Sequence, residues 1–141
     1  MMDNKLTNKG DILSLVPKNK FDDSKLDVID GLSDSEMQII IKELFEWTKD
    51  INWPIAIPLM NILKKREQLS IPCLKNILMS RDWEWIEWIL KYLVSNFSDS
   101  YIMQLEKELE TIVNIEEIDD DYEEMKIIAR ELYNRTKEKH C

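Results

Sequence analysis

Two glycines in 141 residues, Gly10 and Gly31, set the tightest limit on what this chain can fold into. β-Sandwiches, barrels and doubly wound α/β folds turn their corners on glycine. A chain this poor in glycine, and rich in Leu, Ile, Glu and Lys, is built from helices. The length suits one domain with a real core. An apolar fraction of 44% beside 33% charged residues is a globular balance, not a disordered one.

The apolar spacing divides the chain into helices. Residues 1–10 are polar and read as a flexible N-terminus, and 137–141 read as a flexible tail. A single helical domain spans 11–136 between them. A short helix is expected over 22–29, stopped by Gly31. Ser33 with Glu36 forms a capping box for a helix over 35–48, whose stripe is Met37, Ile40, Ile41, Leu44, Phe45 and Trp47. Ser70 is expected to cap a helix with Pro72 in its first turn, and Asp82 the next one, over 82–96. In that helix only Glu84, Glu87, Lys91 and Ser95 share a polar strip, so it reads as the central helix, covered on several sides, with Trp85 in the core. Ser98 or Ser100 starts a helix reaching 113, and the last runs from about Asp119 to Thr136.

The stretch D50-I-N-W-P-I-A-I-P58 is the odd one, since two prolines interrupt a helical spacing. Pro54 fits a first helical position, and Trp53, extended because it precedes proline, fits the cap. Pro58 then removes a backbone bond and bends the first turn, unless the helix starts at Pro58 itself. Trp53, Pro54 and Trp85 read as structural corners that wedge helix pairs apart. The helices pair as 35–48 with 54–66, 70–80 with 82–96, and 99–113 with 119–136. Asp50, Asp82 and Asp119 each precede an aromatic by three residues, at spacings of 32 and 37 residues. Such a period belongs to helical-hairpin repeats, and the fold expected is an all-α, right-handed, HEAT-like stack of three pairs with an N-terminal extension.

L15-V-P-K-N-K-F-D-D23, E46-W-T-K-D-I-N-W-P-I-A-I-P58 and W85-I-E-W-I-L-K-Y-L93 together resemble the pattern of the bacterial domain of unknown function 5071 family. The resemblance spans about Leu15 to Tyr133. It implies a small HEAT-like helical unit and carries no activity with it. Small helical families of this kind include immunity proteins that sit beside toxins, an analogy at the level of fold.

Several chemistries find no support. His140, the only histidine, is next to the C-terminus and is a poor base for a nucleophile. Cys73, Cys141 and His140 are too few and too scattered for zinc. Phosphate-cradling loops need clustered glycines. The run 116–124 holds seven carboxylates in nine residues but lacks the spacing of a calcium loop, and reads as a solvated loop with acids at a helix N-terminus. Glu84 and Glu87 beside Trp88 have the look of a sugar site, yet Glu87 and Lys91 also form an ordinary i,i+4 pair. No cofactor is expected. The net charge of −9, split −2 and −7 about residue 70, argues against nucleic acid and anionic membrane as partners. No run approaches a spanning helix, no leader is evident, and the two cysteines make no framework, so a cytoplasmic protein is expected.

The expected function is therefore a non-enzymatic binding module for a protein or peptide. Its groove would be lined by the second helices and centred on Glu84, Glu87, Trp88 and Lys91, with Asn61 and Lys65 on one flank. An immunity-type inhibitor acting through the acidic surface is the alternative, and an enzyme with an unrecognised carboxylate site the third.

Overall fold

The computed structural model describes residues 9–116 and 118–138. The expectations for residues 1–8, for His140 and for Cys141 lie outside them. Among the described residues the structure is helical, without strands. In order come α1 (Lys9–Leu13), α2 (Leu26–Asp30), α3 (Asp34–Glu46), α4 (Ala56–Leu63), α5 (Glu67–Leu78) and α6 (Trp83–Tyr92). A 3₁₀ turn at Val94–Asn96 leads to α7 (Asp99–Met103) and α8 (Glu106–Asn114). A second, at Asp120–Tyr122, leads into α9 (Glu123–Glu138). The ends differ slightly from expectation: α1 takes in Lys9 and Gly10, and α9 runs two residues past Thr136.

Local chemistry sets the starts. Ser33 and Glu36 form the capping box, with Ser33 N–H donating to Glu36 Oε1 at 2.8 Å and Glu36 N–H to Ser33 Oγ at 3.2 Å. The three aspartates of the repeat all accept a backbone N–H just downstream. Asp50 takes that of Asn52 at 2.8 Å, Asp82 that of Trp85 at 3.3 Å and Asp119 that of Asp121 at 3.1 Å. At Asp82 and Asp119 these bonds satisfy donors that a helix start otherwise leaves open, while Asp50 closes the turn that precedes α4.

Against the sequence reading, α2 starts only at Leu26, the helix expected over 82–96 ends at Tyr92, the one expected over 99–113 is broken into α7 and α8, α9 starts at Glu123 after a 3₁₀ turn, and two further starts lie elsewhere than expected. The helix after Trp53 begins at neither proline but at Ala56, with Pro54 in the turn before it. Pro58 is its third residue, where no intrahelical acceptor waits for an N–H. The first α-helical bond is made by the next residue, Leu59 N–H to Ile55 C=O at 3.1 Å, so Pro58 removes nothing. Ser70 is not a cap: α5 starts at Glu67 and Ser70 lies inside it, buried, its hydroxyl without a partner. Pro72 consequently sits in the helix interior, where it denies the Gln68 carbonyl its usual donor. Both residues are exposed, which leaves that carbonyl to solvent.

One contiguous core runs through the chain, from Ile12 to Leu132. α3 packs on α5 and α5 on α8, while α6 packs on α9, and α7 and α8 close against α9. α1 leans on α3, and α2 on α4. Arg66 clamps the N-terminal arm. Its guanidinium donates to the carbonyls of Asp30 and Leu32 at 3.0 and 2.6 Å and to Asp34 Oδ1 at 2.9 Å. At the other end Arg135 pairs with Asp99 at 2.6 Å and Lys137 with Glu106 at 3.2 Å.

The tryptophan corners are unequal. Trp85 is 7% exposed, and its Nε1–H donates to the wholly buried Thr48 Oγ1 at 2.9 Å. Trp53 is only half-buried and meets Trp47 edge-on, ring centres 5.5 Å apart. The wedge therefore belongs to Trp85, and the expectation of a largely buried Trp53 is corrected. Trp53 packs against Trp47, just beyond the end of α3, at the margin of the core.

Trp85→Ala should destabilise by about 3–5 kcal/mol, the range for a large core aromatic, and Trp53→Ala by about 1–2 kcal/mol, nearer the typical value for a single substitution. Chemical denaturation of both variants checks the order, and equal losses would refute it. Arg81, between α5 and α6, has φ 66°, a left-handed conformation that costs a side-chain-bearing residue about 1–2 kcal/mol. Arg81→Gly is expected to raise the unfolding free energy by about 0.5–1 kcal/mol, once the entropy of glycine is set against the relief of strain.

Candidate functional site

α6 is amphipathic in the way its sequence requires. Trp85, Ile86, Ile89 and Leu90 are buried, and Glu84 and Lys91 are exposed. Glu87 and Trp88 lie half-buried between those faces. The neighbour on this side is α9, which brings Glu124 to within 3.6 Å of the Lys91 ammonium. Lys91 also lies 5.6 Å from the centre of the Tyr92 ring, and the Trp88 and Tyr92 rings are 6.3 Å apart. The Trp88 indole nitrogen is buried without an acceptor, so the polar end of that ring points into the protein and its carbon edge is what remains outside.

The strip is electrostatically lopsided. Three carboxylates, Glu84, Glu87 and Glu124, share one ammonium, Lys91. Partial burial pushes the Glu87 carboxyl above the ordinary value, the Glu124 carboxylate adds to this, Lys91 opposes it and Glu84 raises it again. The acidic surface continues through Asp119, Asp120, Asp121 and Glu123, all exposed around the start of α9. Acids at a helix N-terminus are favoured by its dipole, as the sequence reading held for this run. Among the described residues no group of His, Cys, Asp or Glu has the arrangement of a metal site.

The other two residues expected on the groove's flank sit elsewhere in the packing. Asn61 and Lys65 are exposed around α4, whose neighbour is α2, and Lys65 is paired with Asp30 at 3.0 Å. The flank that the structure does supply to the α6 strip is Glu124.

Two concavities escaped the sequence reading. One, of about 230 Å³, opens between α3 and α5 over Phe45, Ile77, Pro72, Cys73 and Trp85. The interior Pro72 was the available signal, since a proline there bends a helix and loosens its contact with the next. Burial pushes the Cys73 thiol up, away from the reactive thiolate. The other, of about 360 Å³, lies further round α3, past Glu46, which lines both, against Val16, Trp47 and Trp53. Among the described residues no helix is long and apolar enough to cross a membrane.

A carboxyl whose pKa is higher folded than unfolded binds its proton more readily in the folded state. Its ionisation therefore opposes folding, and that penalty grows as pH rises through the unfolded and then the folded value. Glu87→Gln should raise the melting temperature at pH 7, and the gain should vanish below the ordinary carboxylate range. A gain that persists undiminished at pH 3 would show that the crowding of charge at Glu87 is not its source. No curated protein matches this sequence. The chain matches the family described as Domain of unknown function (DUF5071) over residues 15–133, most of its length, and it belongs to that family.

Proposed function

We propose that the chain is a non-enzymatic, cytoplasmic binding module that recognises a lysine- or arginine-rich segment of another protein on the α6–α9 face. The scaffold in this reading is a short right-handed stack of HEAT-like hairpins: α3 with α4, α5 with α6, and α7–α8 with α9. The contacts of α3 on α5 on α8, and of α6 on α9, support two such layers. So does the near-regular spacing of Asp50, Asp82 and Asp119, each of which accepts a backbone N–H just downstream.

The observation that carries the reading is the excess of carboxylate on this face: Glu84, the half-buried Glu87 and Glu124 stand against the one ammonium of Lys91, 3.6 Å from Glu124. A cationic side chain seated between Glu84, Glu87 and Glu124 would relieve that repulsion and add charge-assisted hydrogen bonds. The exposed carbon edge of Trp88 supplies apolar contact beside it. The face is open rather than a water-poor pocket, which suits recognition better than acid–base chemistry. A polyanion would meet the wrong charge. An immunity-type inhibitor of a basic toxin is the second reading, favoured by the extension of the acidic surface from Glu124 to Asp119, which suits a broad partner.

Binding a cation lowers the Glu87 pKa, so the complex holds fewer protons than the free protein. Affinity should then rise with pH through the free-protein value and fall away below it. Capture from a native-host lysate with wild-type protein should yield a basic partner that Glu87→Lys and Trp88→Ala each retain poorly, while circular dichroism shows both variants still helical and folded at the capture temperature. Equal capture by wild type and both variants would remove this face from consideration.

A further inference from the structure

The turn over residues 17–25 and the tryptophans that follow α3 play no part in that reading. Phe21 is 67% exposed, more than any other large apolar side chain among the described residues. The turn that displays it is tightly tied. Phe21 N–H donates to Asn19 Oδ1 at 2.9 Å, Asp22 N–H to the Asn19 carbonyl at 3.1 Å, and Asp23 N–H to the Phe21 carbonyl at 3.0 Å. The Asp22 carboxylate accepts from Lys18 N–H at 3.0 Å and from the Ser24 hydroxyl at 2.7 Å. A ring held outward by such a turn loses little conformational freedom when something covers it.

Beside this knob is an unfilled hole, the cleft of about 360 Å³ lined by Val16, Trp47 and Trp53 with Glu43, Glu46 and Lys49 at its rim. Chain geometry makes the two neighbours. Val16 enters the turn at one end, and Ile55 N–H donates to the Lys20 carbonyl at 3.1 Å, two residues beyond Trp53. Phe21 is thus flanked by residues of the hole yet does not occupy it. The charges match across a copy-to-copy contact. Lys18, Lys20 and Lys25 are exposed around the knob together with Asp23 and Asp27, while Asp22 is engaged by its own turn, and Lys20 is the cation beside the ring itself, 5.3 Å from its centre. At the rim Glu46 is paired with Lys49 at 2.7 Å, while Glu43 makes no ion pair among the described residues.

A knob and a hole on opposite faces would build an open chain of molecules. A knob beside its hole is self-complementary about a two-fold axis. We propose that this face is an interface between two copies of the chain, in which Phe21 of each seats against Trp47 and Trp53 of the other and Lys20 meets Glu43. Exposed Pro54 and Ile57 extend the apolar contact. The interface is small, so the dimer is a reversible one, with a dissociation constant on the order of 10 μM.

Sedimentation equilibrium on the full chain, from about 1 to about 500 μM so as to bracket that constant, tests this. Wild type should pass from monomer to dimer. Phe21→Asp, at an exposed position, should leave the helical content and melting curve unchanged while weakening the dimer at least ~10-fold, the loss of one good apolar contact. Glu43→Lys should weaken it too, and the swap Lys20→Glu with Glu43→Lys should restore it. A monomer throughout the range, or a dimer indifferent to Phe21→Asp, would overturn the interface. A swap that fails to restore association would overturn the reciprocal seating.

Discussion

One hydroxyl group holds the middle of this protein together. Thr48 is wholly buried, just beyond the end of α3. Its Oγ1–H donates to the Phe45 carbonyl at 2.6 Å, and its lone pair accepts the Trp85 indole N–H at 2.9 Å. Three polar groups that would each be costly to bury alone are satisfied at one point. The apolar body of Trp85 can therefore sit in the core, with the Lys49 ammonium 5.0 Å from its ring centre. Without Thr48 the indole N–H would lose its acceptor, a loss of about 1–3 kcal/mol for a buried donor left unpaired.

The rotation of α6 about its axis follows from that contact, and the candidate surface follows from the rotation. With Trp85 turned inward, helical geometry sends Glu84, Glu87 and Lys91 the other way. α9 packs on α6 and brings Glu124 to the strip. The crowding of carboxylates at Glu87 is thus a by-product of how the core is closed. The tryptophans before and after the turn at Asp50 are left with less to do in the core, and they form instead the wall of a cleft beside Phe21.

Much of this was legible in the residues because the signals were local. The capping box at Ser33, the aspartate caps at 82 and 119, and the apolar stripes of α3 and α6 each depend on neighbours within one or two turns. What the sequence hid depends on partners far along the chain. Ser70 looks like a cap, but α5 begins a turn earlier, and the Glu67 carboxylate accepts the backbone N–H of Ser98 at 2.6 Å, a contact made across 31 residues. Pro58 looks disruptive only if α4 starts at Pro54, and a start two residues later makes it harmless. Trp53 and Trp85 carry the same local pattern. Only packing separates the one that finds a buried acceptor from the one that does not. The acidic face was half visible: Glu84, Glu87 and Lys91 share a helix, whereas Glu124 comes from α9.

The Arg66 clamp on the N-terminal arm differs from the other ion pairs that join distant parts of the described chain. The Lys65, Lys91, Arg135 and Lys137 pairs all end on carboxylates, and acid or salt weakens such contacts. Arg66 keeps its charge at any pH a protein meets, and two of its three bonds end on backbone carbonyls, which do not titrate. The arm that carries α1, α2 and the Phe21 turn is thereby fastened by a clasp whose two backbone bonds acid leaves in place.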